Sequence, residues 1–300
     1  MNAITTTASA VPAGSRLRLV ASLFKLRIAV LIMVTALGGV AASPGGAALD
    51  GIQVAVLALA VLVASAAAGA FNQYVEADSD RLMARTRQRA FASGALAATP
   101  RWLALFAAML AAAVGAAWVA LNGTAALFIF AGAFTYAAIY TLALKRRSWT
   151  NIVFGGAAGS FAVLAGAAAV NPVPGAQALA LALVLLLWTP PHFWSLAIAN
   201  RAEYAAAGVP MLPVVIGPER AARVVHANAI ALVAASLLPL AFGAGVAYAA
   251  GALLGGAHFL RKTRALAAST TRQSALAAFF ASMVQLSVLL AGVAVDAALR

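Results

Sequence analysis

The chain reads as an all-α, polytopic membrane protein with nine transmembrane helices. Apolar residues make up 64% of its 300 residues, and mean hydropathy is +0.97. Charged residues are only 9% of the total, and they fall almost entirely on alternate connections between apolar stretches. A soluble domain of this length needs far more polar surface. A spanning helix needs about 20 apolar residues, and such stretches recur along the chain. The predicted spans are 28–43, 52–71, 102–120, 124–143, 151–170, 177–198, 223–241, 244–260 and 275–295.

Residues 1–24 read as a flexible cytoplasmic tail, and 25–300 as one membrane domain. The tail starts uncharged, and the apolar run after Lys25 and Arg27 is long enough to span, so it is not a cleaved signal. The first span is short unless it begins near Leu19 with an interfacial turn containing Phe24. Pro44-Gly45-Gly46 ends it. Asn122-Gly123 is the tight turn between the third and fourth spans. Asn171-Pro172-Val173-Pro174-Gly175 separates the fifth from the sixth, and Pro239 with Gly243 divides the seventh from the eighth.

Of the 20 basic residues, 19 lie on the tail and on one set of connections; only Arg300 lies opposite. The positive-inside rule then places the N-terminus in the cytoplasm and the C-terminus outside, which demands an odd number of spans. The net charge of +13 accordingly reflects orientation and contact with anionic membrane lipid, and no nucleic-acid partner is expected. Without cysteine there are neither disulfides nor thiolate metal sites. Any site for a charged substrate belongs on the cytoplasmic side.

One connection there is chemically distinctive. If the second helix persists past Phe71, then Asn72, Glu76 and Asp80 share a face at four-residue steps, with Asp78 pointing elsewhere unless the helix loosens. Acids this close repel unless a cation neutralises them. Oxygen-only ligands suit Mg²⁺, which favours carboxylates together with substrate phosphates. The bland alternative is a charged loop whose acids pair with Arg81 and Arg85. Thr86, Arg81, Arg85, Arg87 and Arg89 supply phosphate donors while also marking the cytoplasmic side. Lys145, Arg146 and Arg147 after Tyr140 fit either a phosphate site or a lipid-headgroup anchor.

A second polar stretch runs Trp188-Thr189-Pro190-Pro191-His192-Phe193-Trp194-Ser195. Its two prolines break the hydrogen-bond ladder, and His192 either meets substrate or bonds a neighbouring helix. Glu203 either completes a metal site with the first cluster or pairs with Arg201. The Gly/Pro pattern from Ala207 to Gly217 predicts an ordered loop.

These residues carry a family resemblance. Asn72-x3-Glu76-x-Asp78-x-Asp80 followed by Arg85-Thr86 resembles the aspartate-rich motif of the UbiA superfamily of membrane prenyltransferases. The run from Trp188 to Ser195 and the loop Gly208-Val209-Pro210-Met211-Leu212-Pro213 are similar to its haem O synthase branch. That resemblance implies a bacterial inner-membrane enzyme that transfers the farnesyl group of farnesyl diphosphate to a vinyl group of haem b, a substrate here. Asn72, Glu76, Asp78, Asp80 and Glu203 are then expected to hold Mg²⁺. Lys145 joins Asn72, Glu76 and Asp80 as catalytic, and Arg85, Arg89, Tyr140, Arg146, His192 and Glu203 bind substrate. Haem A synthase and terminal oxidase assembly are the implied partners. The chain departs from the branch at Arg89-Ala90, where Arg-Pro is common, and at Ala162, where Pro-Pro is common. The rival readings are a superfamily prenyltransferase acting on an aromatic acid or quinone precursor, and a membrane transporter of a phosphorylated lipid.

Overall fold

The computed structural model describes residues 19–43 and 49–299. The tail up to residue 18, the Pro44-Gly45-Gly46 break and Arg300 lie outside the described residues. A helical turn at 19–23 is followed by a break at Phe24 and Lys25, which matches the expected interfacial start. The remaining elements are α1 (Leu26–Ala41), α2 (Gly51–Val75), α3 (Ala77–Arg81), α4 (Pro100–Ala120) and α5 (Gly123–Phe134), which widens into a π-helical segment, Thr135–Leu144. Then come α6 (Asn151–Gly155), α7 (Ala157–Val170), α8 (Ala176–Ala199), α9 (Arg201–Ala206), α10 (Leu212–Val215) and α11 (Pro218–Ala235). A 3₁₀ turn (Leu238–Phe242), α12 (Val246–Ala268) and α13 (Arg272–Ala298) complete the chain.

Local chemistry sets these boundaries. Asp50 and Gln53 form a capping box that opens α2, and Asn122 caps α5 by accepting from the Ala125 amide. Pro100 and Pro218 occupy first-turn positions, where a missing N–H costs nothing. Pro190 and Pro191 lie inside α8 without ending it.

Among the described residues, seven helical stretches are long and apolar enough to cross a membrane. Two of the nine expected spans fall outside this set. α1 is helical but spans only 16 residues. α12 carries His258, Arg261, Lys262 and Arg264 in its C-terminal part, which lowers its apolarity.

The helices pack as a ring: α1 lies between α2 and α7 and touches α13, while α8 contacts α7, α11 and α13. One apolar core joins α1, α2, α4, α5 and α7 and is built mainly of alanine; a second joins α7, α8, α11, α12 and α13. Small residues let backbones approach where lipid gives no hydrophobic drive. A Cβ on Gly39 would stand 2.0 Å from the Val163 carbonyl oxygen, and one on Gly166 would stand 1.8 Å from that of Ala36. The α1–α7 crossing therefore admits only glycine at these two positions. Large apolar side chains such as Ile52, Trp118 and Val119 face outward, as a lipid-facing surface requires.

Asp296 anchors the last two helices. Buried on α13, it accepts backbone N–H groups of Gly245 and Ala247 at 2.5 and 3.1 Å where α12 begins. Asp296→Ala leaves these donors orphaned and should cost about 1–3 kcal/mol, read as a lower detergent melting temperature.

Candidate active site

The acid-bearing face forms as the four-residue spacing predicts. α2 runs to Val75, and Glu76 is a hinge residue from which α3 continues. The Glu76 amide donates to Asn72 O at 3.0 Å and the Asp80 amide to Glu76 O at 2.8 Å, which keeps the helical register across the hinge. Asn72, Glu76 and Asp80 are all buried. Asp78 is exposed and pairs with Arg81 at 2.9 Å, so the structure does not bring it to this group.

Facing these acids is the widened end of the α5 helix, where the Lys145 amide donates to Tyr140 O, five residues back. π-Helical turns of this kind recur at functional sites. Here the widening aligns Tyr136, Tyr140, Thr141 and Lys145. The Lys145 ammonium pairs with Glu76 and lies over the Tyr140 ring. Tyr140 in turn stacks on Tyr136 with centroids 5.3 Å apart. Arg146 donates to Ser79 Oγ at 3.0 Å.

The segment after α3 folds back by side-chain bonds to its own backbone. Thr86 Oγ donates to Asp80 O, and Arg81 Nε donates to Ala92 O, each at 3.0 Å. The Thr86 hydroxyl is thus held by backbone, whereas the sequence suggests it as a phosphate donor. Ala90, in place of the family's common proline, is fully buried with Leu23, Phe91 and Phe106. This fold-back delivers Arg89 to Asp80, its Nη1 donating to both carboxylate oxygens at 2.8 and 3.0 Å. Arg85 reaches Tyr204 OH at 3.4 Å and so links this segment to α9.

Glu203 makes no ion pair with Arg201, which donates to Pro213 O at 3.0 Å. Its Oε2 is buried without a hydrogen-bond partner among the described residues. The following loop is ordered as predicted: Val209, Met211 and Leu212 are buried, and Gly208 and Gly217 take positive φ.

His192 meets a different helix. Ser282 Oγ donates to Phe279 O at 2.6 Å, so His192 Nδ1, 2.7 Å away, must be the donor to Ser282. The ring lies between Trp188 and Phe279. These contacts realise the neighbouring-helix alternative, and they join His192 to α13 rather than to the acids.

Two groups that the sequence reading left out belong to this site. Lys25 Nζ donates to Asn72 Oδ1 at 2.6 Å and to Tyr136 OH at 3.2 Å. Thr141 Oγ accepts from Asn72 Nδ2 at 3.1 Å while donating to Tyr136 O. Burial, together with Arg89 and Lys145 nearby, lowers the Lys25 ammonium to about 7.

Asn72, Glu76, Asp78, Asp80 and Glu203 do not form a preassembled metal cluster. Among the described residues no three acids or histidines converge to hold an ion; Lys145 and Arg89 neutralise Glu76 and Asp80 individually. The residues nevertheless fit a hard divalent cation: the donors are oxygens, and the buried Glu203 Oε2 is an acceptor without a partner. An apolar groove of about 490 Å³ beside Leu110, Trp118 and Phe130 lies on the outer faces of α4 and α5 and has no ionisable lining residue, so it is not this site.

A helical membrane bundle with acids, arginines and lysines at one mouth defines the class, and sequence comparison agrees. Residues 31–284 match the UbiA prenyltransferase family, and the chain belongs to that family. Protoheme IX farnesyltransferase 2 of Paramagnetospirillum magneticum is 53% identical over 94% of this chain and 98% of its own length. Protoheme IX farnesyltransferase 1 of the same organism is 47% identical over 91% and 96%. The chain is thus a homologue of the protoheme IX farnesyltransferases. In fold it is similar to digeranylgeranylglyceryl phosphate synthase, with TM-score 0.78 at 16% identity over 95% of this chain and 100% of that one. It is also similar to a UbiA homolog from Archaeoglobus fulgidus bound to DMAPP and Mg²⁺, with TM-score 0.71 at 14% identity over 90% and 98%.

Proposed function

We propose that this protein transfers the farnesyl group of farnesyl diphosphate to a vinyl group of protohaem IX, giving haem O and diphosphate. The observation that carries this reading is the 53% identity, nearly end to end, with a protoheme IX farnesyltransferase. The mouth of the bundle supports it, since a diphosphate needs clustered cations and Lys25, Arg89 and Lys145 gather there.

In this reading Asn72, Glu76, Asp80 and Glu203 hold Mg²⁺. When bound, the ion supplies Lewis-acid stabilisation of charge developing on the diphosphate. Arg89 and Lys145 turn from the carboxylates to the diphosphate oxygens, and Arg85 and Arg146 add further donors. Burial of Glu76 and Asp80 strengthens the attractions made at these carboxylates. The Tyr140 ring, beside Lys145, presents a π-face where positive charge builds on the departing allyl group. The haem vinyl group forms the new carbon–carbon bond as the diphosphate leaves, and water adds to the haem-side carbon with loss of a proton. α1 and α12 also cross the membrane in this proposal, which makes nine passes with the N-terminus in the cytoplasm of a bacterial inner membrane.

The test is direct. Purified protein given haem b, farnesyl diphosphate and Mg²⁺ should yield extracted haem heavier by one farnesyl group plus one hydroxyl group. Unchanged haem beside a prenylated aromatic acid would instead select a different acceptor.

A further inference from the structure

We propose that Lys25 is a further diphosphate-binding residue, a role that rests on the prenyl diphosphate reading above. Its backbone supplies the first observation. At φ 48 and ψ 43, Lys25 is left-handed, and among the described residues it is the only one other than glycine with positive φ. A side chain with a Cβ disfavours that conformation, so surrounding structure must enforce it.

The acid-bearing helix does so at three points. Gln73 Nε2 donates to Ser22 O at 2.6 Å and to Leu23 O at 3.0 Å, pinning the carbonyls just before the break. Gly69 leaves room for the lysine stem; a Cβ there would approach Lys25 Cδ at 3.3 Å. Asn72, one turn further on, receives the ammonium at 2.6 Å. One face of α2 thus bends the entering chain and aims its lysine at the carboxylate group.

Charge accounting says what the lysine awaits. Lys145 neutralises Glu76 and Arg89 neutralises Asp80. Lys25 has only neutral oxygens, those of Asn72 and Tyr136. Arg85 and Arg146 likewise meet only hydroxyls, those of Tyr204 and Ser79, so the cations of the mouth outnumber its carboxylates even with Glu203 counted. A mobile anion supplies the balance, and a diphosphate is the anion this site is built to take. Movement of the ammonium from Asn72 Oδ1 onto a diphosphate oxygen also frees that oxygen as a ligand.

Calorimetry with farnesyl thiodiphosphate and Mg²⁺, on detergent-solubilised protein, tests this. Lys25→Met keeps most of the stem and should weaken binding roughly ten- to hundredfold, the loss of a charged hydrogen bond. Farnesol, which lacks the headgroup, should bind wild type and variant alike. Lys25→Gly removes the ammonium while easing the backbone and should show the same headgroup-specific loss with no drop in melting temperature. Unchanged thiodiphosphate affinity, an equal loss for farnesol, or failure of both variants to fold would overturn the proposal in favour of a structural lysine. Wild-type protein that bound farnesol but not the thiodiphosphate would overturn the prenyl diphosphate reading itself, and this role with it.

Discussion

Asp80→Asn should lower farnesyl transfer by about a hundred- to a thousandfold, the range seen when one preorganised electrostatic partner is removed from developing charge. The substitution keeps volume and shape and removes only the negative charge. That charge holds Arg89 through two hydrogen bonds; in the proposed function it holds the cation while Arg89 serves the diphosphate. Some stability is lost as well. Breaking a buried pair costs about 3–5 kcal/mol, but the Arg89 side chain is 24% exposed, and water reduces the figure toward about 1 kcal/mol. The variant should therefore remain folded in the membrane while turnover collapses. Initial rates of prenylated haem formation against Mg²⁺ concentration, taken with detergent melting curves, separate these effects. Wild-type rates with an unchanged Mg²⁺ dependence would remove Asp80 from the reaction.

The second large effect lies far from the charges. Gly166→Ala should destabilise the bundle by about 3 kcal/mol or more, at the upper end of what overpacking costs. Its new methyl carbon meets the Ala36 carbonyl oxygen at 1.8 Å, and this atom is backbone, so no rotamer change can relieve the clash. α1 must move away from α7, and with it moves the break that carries Lys25. A lower melting temperature and a raised KM for farnesyl diphosphate should appear together. Gly159→Ala is the control, because nothing lies within 4 Å of the Cβ it adds. Equal melting temperatures for the two variants would show that the α1–α7 crossing yields easily.

Much of the site was legible in the residues because helical spacing is local. Asn72, Glu76 and Asp80 stand four apart, and backbone bonds across the Glu76 hinge keep them aligned. Asp78, two positions out of step, turns to solvent. The distant pairings were less accessible. Nothing in the sequence says that Lys145 meets Glu76 or that Arg89, rather than Arg85 or Arg81, folds back to Asp80. Those choices depend on the π-helical widening before Lys145 and on the turn stitched by Thr86. His192 shows the same limit, since nothing in the run after two prolines says that its Nδ1 will meet Ser282 on α13.

The amino-acid sequence by itself determined the membrane class, the bias of positive charge toward one set of connections, and the helix bearing the acids. Apolar length, charge asymmetry and residue spacing are properties of short segments and act wherever the chain goes. Only the tertiary structure decided that Glu76 and Asp80 would each have its own cation, and that a lysine at a chain break would join the site. Lys145 and Glu76 lie 69 residues apart and Lys25 and Asn72 lie 47 apart. They meet because glycine and alanine let helix backbones close to contact and bring the ends of separate helices into one electrostatic field.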